Sequence, residues 1–182
     1  MSQQQKLTIA GALILLAVLG RLLPHLWNFT PVIAVSIIAG RYLGRNYGIA
    51  VPLIAMVASD LFIGFYHWPL MATVYGSIAL AGLLSFAVRK YPAMETGVVL
   101  SLISSTLFFL ITNGAVWYFT DLYPGDLSGL LSSYTAGLPF YRNALMGDLF
   151  YTGGLLVIFQ TVPVYLPIIQ NTLIHKQKPQ KC

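Results

Sequence analysis

The sequence predicts an all-α membrane protein, a bundle of about six transmembrane helices in a single domain of 182 residues. Two observations support this fold class. Hydrophobic residues make up 57% of the chain and charged residues only 8%, whereas a soluble domain carries about 25% charged residues. The apolar residues also form long runs, without the alternation of a membrane β-barrel. The composition therefore excludes an ordinary soluble enzyme, a nucleic-acid-binding domain and a disordered tail.

Six apolar runs approach the length of about 20 residues that a spanning helix needs. They are residues 7–23, 29–43, 48–66, 69–88, 97–119 and 140–160. In the first run, Lys6 and the apolar residues 7–20 resemble a signal peptide, but Arg21 and Pro24 come next in place of a small-x-small cleavage site, so we expect an uncleaved span. The second run is short, and the next three are long enough to span. Pro163 and Pro167 are expected to kink or end the sixth helix.

The connections between these runs are short except for residues 120–139, which we expect to form an outer loop. Pro124 and Gly125 occur there together with several Ser and Asp residues, a composition typical of turns. A loop of this length is often a lid over a binding site, and a plain surface loop is an equal alternative. Residues 170–182, which end in the single cysteine Cys182, are expected to form a cytoplasmic tail.

Basic residues set the expected orientation, because the cytoplasmic loops of membrane proteins are enriched in Lys and Arg. With the N-terminus inside, only Arg21 and Arg142 face outwards. The remaining basic residues lie on the cytoplasmic side: Lys6, Arg41, Arg45, Arg89, Lys90, Lys176, Lys178 and Lys181. Trp27, Trp68 and Trp117 fall at the outer ends of spans, as an interfacial belt requires. Both termini are therefore expected in the cytoplasm, with the protein in the inner (cytoplasmic) membrane of a bacterium.

Four polar side chains are expected inside the membrane: Arg21, Asp60, Asn113 and Asp148. Counted from the outer ends of four different runs, they lie at similar depth, roughly 9–12 Å below the surface for the last three. Ionisable groups at such depth usually face a cavity or a partner. The layer therefore predicts either a substrate pocket that opens to the outside or structural ion pairs of Arg21 and Arg142 with the two aspartates.

Further polar residues near the outer surface extend this candidate site. Asn28, Trp117, Arg142 and Asn143 complete the set of predicted substrate-binding residues, and His25, Thr30 and His67 are close to them in sequence. No catalytic residue, metal site or cofactor is expected. The three His are scattered, no phosphate-binding loop occurs, and the Gly-x-Gly-Asp motif of intramembrane aspartyl proteases lacks its first Gly before Asp148.

The pattern resembles the substrate-binding S components of energy-coupling-factor (ECF) transporters. The resemblance is carried by the Asn-Phe-Thr-Pro-Val sequence at residues 28–32, the small-residue helix that ends at the Gly-containing turn 39–44, and the acidic residue Asp60 on the following helix. Residues 137–140 and 147–149 are also similar to a group of uncharacterised bacterial membrane proteins related to that fold. The resemblance implies an S-component-like bundle and an outer binding pocket closed by loops.

The resemblance also implies a function and partners. An S component binds a vitamin, a related micronutrient or a metal ion from outside, and docks onto a membrane coupling subunit that carries two cytoplasmic ATPases. The Ala-x-x-x-Ala docking motif of the first span is absent here, since Leu16 follows Ala12 at that spacing. We therefore expect an uptake component in the lipid bilayer that binds a vitamin-like small molecule, with a coupling subunit and ATPases as possible partners. The alternative is a membrane scaffold or an accessory subunit of a membrane complex.

Overall fold

The computed structural model describes the backbone of residues 1–24, 26–91 and 93–177, and side chains as far as residue 161. Every regular element in this part of the chain is helical, which confirms the all-α prediction. His25 and residues 178–182 of the predicted tail lie outside the described residues.

Six helices follow one another in the described part of the chain. They are α1 (Gln3–Leu22), α2 (Val32–Ile38, continued by a π-helical turn at Ala39–Leu43), α3 (Arg45–Ile63), α4 (Trp68–Ala87), α5 (Met94–Phe119) and α6 (Leu127–Gln177). All except α2 are long and apolar enough to cross a membrane, and they fit an integral membrane protein. The second predicted span is the short one, as expected, because the helix covers only Val32–Leu43.

Successive helices alternate in direction, so the connections gather at two ends of the bundle. One end, called the Asn28 end below, holds residues 23–24, 26–31, 64–67 and 120–126. The other, called the Arg41 end, holds residue 44, residues 88–91 and residue 93. Here Arg41 Nη2 donates to the backbone carbonyls of Tyr91 and Ala93 at 2.9 and 2.8 Å, which ties the π-helical turn to the start of α5.

The short helix α2 forms the centre of the bundle. All of its residues are buried, as expected for a helix that is apolar on every side. Gly40, Gly48 and Gly82 let the π-helical turn, α3 and α4 meet backbone to backbone, because a Cβ at any of them would overlap the backbone of another. Ser36 Oγ donates to the carbonyl of Ile78 at 2.8 Å, so even the polar side chain of α2 is satisfied internally.

The predicted outer loop at residues 120–139 is wrong for most of its length, because α6 begins at Leu127. The side chain of Asp126 caps this helix, accepting from the backbone N–H of Gly129 at 2.9 Å and the hydroxyl of Ser128 at 2.7 Å. Ser133 Oγ then donates to the carbonyl of Asn113 on α5 at 2.9 Å. Capping and packing against α5 override the turn-like composition, and only residues 120–126 connect the two helices.

The sixth helix also continues past Pro163 and Pro167 to Gln177. Of the two alternatives predicted for these prolines, a kink or the end of the helix, the second is therefore wrong. A proline removes only one backbone donor from the helix, and spanning helices tolerate it where neighbouring groups satisfy the carbonyl that is released.

Candidate functional site

A cavity with two adjoining chambers lies inside the bundle near the Asn28 end. The larger chamber has a volume of about 330 Å³, and the smaller one of about 210 Å³. Both are lined by Asn28, Phe108, Thr112 and Ala144. The larger chamber is also lined by Arg21, Thr30, Val32, Ile33, Met56, Tyr66, Val74, Ile78 and Asp148. The smaller one is also lined by Ser105, Phe109, Asn113, Val116, Gly137, Phe140 and Tyr141.

Asn28 lies at the wall shared by the two chambers and has a strained backbone. Its φ of 62° falls in the left-handed region, which non-glycine residues adopt infrequently but Asn adopts more readily than most. The turn is closed by the N–H of Phe29, which donates to the carbonyl of Leu26 at 2.9 Å. Trp27 stacks on Phe140 of α6, with ring centroids 5.5 Å apart. Asn28 in the first connection thus borders both chambers.

Arg21 and Asp60 form a buried ion pair that joins the ends of α1 and α3. Arg21 Nη2 lies 2.6 Å from Asp60 Oδ1, and the Asp60 side chain is only 1% exposed. Arg21 Nη1 donates to Ser59 Oγ at 2.6 Å, and the Tyr75 hydroxyl donates to the second Asp60 oxygen at 2.5 Å. Asp60 is therefore satisfied on both oxygens and lies behind Arg21, which itself lines the larger chamber.

Tyr66 follows α3 in the connection to α4 and lines the larger chamber. Partial burial raises the pKa of its phenol, the nearby Asp60 carboxylate raises it further, and Arg21 opposes them. Tyr66 therefore keeps its proton at neutral pH and offers the chamber both an O–H donor and an acceptor.

Asp148 lies on α6, and its surroundings differ from those of Asp60. The residue is 2% exposed, yet it lines the larger chamber. Ser105 Oγ donates to its Oδ2 at 2.6 Å, and no other donor to this carboxyl group occurs among the side chains that the structure describes. The predicted pairing with Arg142 is not observed, because the Arg21–Asp60 contact is the only ion pair in the same part of the chain. An ionised carboxylate in such a place costs several kcal/mol unless a partner compensates it.

Asn113 and Asp148 do not share a depth, although the sequence predicts that they do. Asp148 contacts Ser105 on α5, whereas Asn113 packs against Gly137 at an earlier turn of α6. On α5 these two levels are about 12 Å apart by the helical rise of roughly 1.5 Å per residue. The prediction fails because it starts the sixth helix too late. Asn113 accordingly lines only the smaller chamber, where its amide N–H donates to the carbonyl of Phe109 at 2.9 Å.

Three other predicted substrate-binding residues, Trp117, Arg142 and Asn143, do not line either chamber, and nor does His67, which is close to them in sequence. Trp117 donates from its indole nitrogen to the carbonyl of Pro124 at 2.9 Å and so closes the α5–α6 connection. Arg142 is exposed and Asn143 is half-buried. His67 is exposed and immediately precedes α4. The structure therefore brings together Arg21, Asn28 and Asp148 in the larger chamber, with Asn113 in the smaller one beside it.

Sequence reasoning missed several lining residues on α5. Ser105, Phe108 and Thr112 follow one another at steps of three and four residues, which places them on one face of a helix. This spacing was visible in the sequence, but Ser and Thr side chains are common in spanning helices because they can donate to their own helix backbone. Thr112 does so here, to the carbonyl of Phe108 at 2.7 Å. Tyr66 gave no such signal, because it is the last residue of the apolar run 48–66 and carries no charge.

The cavity offers hydroxyl, amide, phenol and carboxyl groups between apolar walls, a combination suited to binding a small polar molecule. Within the described residues, no group of three or more His, Cys, Asp or Glu side chains could hold a metal ion. The arrangement is therefore that of a binding site built from single polar groups on separate helices.

The fold and the cavity are those of an all-helical chain that fits an integral membrane protein and contains a mostly apolar chamber with a few polar groups. A model of a family of unknown function (DUF6580) matches residues 1–169. Because this match covers most of the chain, the protein belongs to that family. Among curated proteins and among solved structures, no match was found.

Proposed function

We propose that the protein is a membrane-embedded, high-affinity binding component for the uptake of a vitamin-like small molecule. Separate ATPase subunits would supply the energy, through a transmembrane coupling subunit. The observation that carries the proposal is the cavity itself, because it contains a buried carboxyl group, that of Asp148, which has no cationic partner among the described side chains.

The size of the cavity supports this proposal. Its larger chamber, of about 330 Å³, lies within the range of roughly 300–1,000 Å³ that is common for small-molecule sites. Its walls are mostly apolar with a few polar groups, as in pockets that orient a ligand by a small number of hydrogen bonds.

The direction of binding follows from the distribution of charge. With the basic residues of the Arg41 end in the cytoplasm, the cavity near the Asn28 end opens towards the outside. Both termini then lie in the cytoplasm, and the membrane is the inner membrane of a bacterium. An uptake component needs this arrangement, since it must meet its cargo on the outer side.

The resemblance to S components supports a coupling subunit and ATPases as partners. Without the Ala-x-x-x-Ala spacing on α1, the contact with a coupling subunit would use a different set of residues. The short buried helix α2 and the glycine contacts at Gly40, Gly48 and Gly82 make the α2–α4 part a rigid unit, against which cargo can be held.

The test is to fill the cavity with a larger side chain and to measure whether a small molecule still copurifies with the protein. Ala144 borders both chambers, so Ala144→Phe places a ring in the empty space. Met146 is 49% exposed on the same helix, so Met146→Phe adds a similar ring outside the cavity. Each variant and the wild type would be purified from their own membranes in mild detergent and analysed by native mass spectrometry.

We expect the wild type and Met146→Phe to retain a small molecule and Ala144→Phe to lose it. Copurification of a coupling subunit with two ATPases would support the transport part of the proposal. A wild-type protein that retains no small molecule and no ATPase would contradict it.

A scaffold or accessory subunit of a membrane complex is the second candidate. It is favoured by the Arg21–Asp60 pair, because a pair that is satisfied by Ser59 and Tyr75 needs no ligand. This candidate predicts a protein partner without ATPases, retained equally by Ala144→Phe and Met146→Phe, and no small molecule in any of the three samples.

A further inference from the structure

We infer that the ligand of the cavity is a small organic molecule with a cationic nitrogen, and that Asp148 binds that nitrogen. The inference rests on the proposed function and specifies its substrate class. It depends on the charge balance of the cavity, the hydrogen bonding of Asp148 and the aromatic walls.

The charge balance of the cavity is the first argument. Among the described residues, the acidic or basic side chains that line the two chambers are Arg21 and Asp148. Arg21 is already neutralised, since its Nη2 lies 2.6 Å from Asp60 Oδ1. Asp148 has no such partner within the described side chains, so its ionised form leaves one uncompensated negative charge on the chamber wall. A single positive charge on the ligand restores neutrality, whereas an anionic ligand adds to the imbalance.

The hydrogen bonding of Asp148 is the second argument. An ionised carboxylate can accept about four hydrogen bonds, and the described part of the chain supplies one, from Ser105 Oγ at 2.6 Å. The residue is 98% buried, as its 2% exposure shows, so bulk water does not supply the rest freely. An ammonium or other protonated nitrogen provides both the charge and the missing donors.

The walls of the cavity match the rest of such a molecule. Phe108 borders both chambers and Tyr66 borders the larger one. Phe109 and Tyr141 stack near the smaller chamber, with ring centroids 4.6 Å apart. Aromatic faces attract organic cations within about 6 Å of the ring centre and also cover the carbon skeleton. The site therefore favours a nitrogen cation that carries an apolar or aromatic body.

A bare metal ion fits this cavity poorly. Hard divalent cations take about six oxygen ligands, and the described residues contain no group of three or more metal-ligating side chains. A chamber of about 330 Å³ also exceeds the volume that one ion and a few ligands occupy. An organic cation uses the volume and the single carboxylate together.

The test compares two substitutions that make the same chemical change. Asp148→Asn removes the charge inside the chamber, while Asp121→Asn removes a charge at an exposed position in the α5–α6 connection. The full-length wild type and both variants would be purified from their own membranes into lipid nanodiscs. Retained small molecules would be identified by mass spectrometry. Binding of phenethylammonium, 2-phenylethanol and phenylacetate, three probes of similar shape and different charge, would be measured by calorimetry.

We expect a retained molecule with a cationic nitrogen, or binding of phenethylammonium alone among the three probes. The affinity for that molecule or for phenethylammonium should fall about 10- to 100-fold in Asp148→Asn, which is the cost of losing a charged hydrogen-bond partner. The affinity should stay unchanged in Asp121→Asn. A neutral or anionic retained molecule would overturn the inference and leave the proposed function standing. A cation bound equally well by Asp148→Asn would also overturn it. A wild type that retains nothing and binds none of the probes would overturn the proposed function as well.

Discussion

Two buried aspartates, Asp60 and Asp148, have different surroundings. Other side chains of the protein supply Asp60 with a counter-charge, whereas no described side chain does so for Asp148. Asp60, at the junction of α1, α3 and α4, accepts a hydrogen bond from Arg21 at one oxygen and from Tyr75 at the other. Asp148, at the junction of α5 and α6, lines a chamber and accepts a hydrogen bond only from Ser105 among the described side chains. Both are nearly inaccessible to solvent, at 0% and 2% exposure.

This difference matters for assigning a role to a charged residue in an apolar chain. Burial alone does not distinguish a structural carboxylate from a binding one, because both residues are buried. The distinction lies in what surrounds the carboxylate. Where the protein supplies the counter-charge, the group holds helices together. Where the described residues supply none, as at Asp148, we propose that a ligand supplies it.

Asp60→Asn tests the structural half of the comparison and should have the largest effect. Removing one partner of a buried ion pair leaves Arg21 uncompensated and costs about 3–5 kcal/mol. The measurement is the free energy of unfolding by denaturant in mixed micelles. The double variant Arg21→Met with Asp60→Leu should recover much of the loss, since it removes both charges. An unchanged unfolding midpoint for Asp60→Asn would show that the pair does not hold α1 against α3.

Gly82→Ala tests how tightly α4 packs against α3, in the same half of the molecule. A Cβ at position 82 would overlap the backbone carbonyl of Gly48, and overpacking of this kind costs about 1–3 kcal/mol. Gly76→Ala on the same helix is the matched control, because nothing lies within 4 Å of its Cβ. Equal unfolding free energies for the two variants would argue against the backbone contact.

Ser133→Ala tests whether the first turns of α6 pack as a helix against α5. The substitution removes the hydrogen bond from Ser133 Oγ to the carbonyl of Asn113 and should cost about 1 kcal/mol. Ser132→Ala is the control, since Ser132 is exposed and bonds only within its own helix. If residues 127–139 formed a loop instead, the two variants would have the same thermal unfolding midpoint.

Asp126→Ala tests the cap of α6, with a smaller effect that depends on pH. Hydrogen bonds from the Ser128 hydroxyl and then the Gly129 N–H lower the pKa of Asp126 below its ordinary value of 3.8. A lowered pKa in the folded state stabilises the fold above the pKa of the unfolded state, and this contribution is lost as the pH falls through the folded value.

The unfolding midpoint of Asp126→Ala should therefore be slightly below that of the wild type at about pH 7, and the gap should narrow at about pH 2–3. Asp126→Asn should keep at every pH the part of the effect that needs no charge, because Asn also accepts the cap hydrogen bond. A gap that stays constant with pH would mean that the carboxylate charge has no part in the cap.

Asp148→Asn completes the comparison with the smallest expected effect on stability. Asp148 has no cationic partner among the described residues, so replacing it by the neutral Asn leaves no charge unpaired. The substitution should therefore not lower the unfolding free energy. The measurement is made beside Asp60→Asn under the same conditions. A loss as large as that of Asp60→Asn would show that Asp148 is a structural group and would remove the distinction between the two halves.

Much of the candidate site was visible in the sequence, and the parts that were missed have physical causes. Arg21 and Asp60 were identified because charged residues in apolar runs are costly and few, and their pairing was one of two stated alternatives. The depth of Asp148 was misjudged because Pro, Gly and Ser at residues 124–139 are typical of loops. Tertiary contacts of Ser133 and Gly137 with Asn113 outweigh those propensities.

Composition and apolar runs alone predict that this chain is all-helical, where four of its five long apolar helices lie, and which few residues carry charge among them. These features follow from local composition, since burial of apolar surface and satisfaction of backbone polar groups act on each segment separately. Tertiary packing is needed to see that Asp60 is paired, that Asp148 has no cationic partner among the described side chains, and that Asn28, Thr112 and Tyr66 meet around one cavity. These facts depend on which helix faces meet, and residues far apart in the chain set that together.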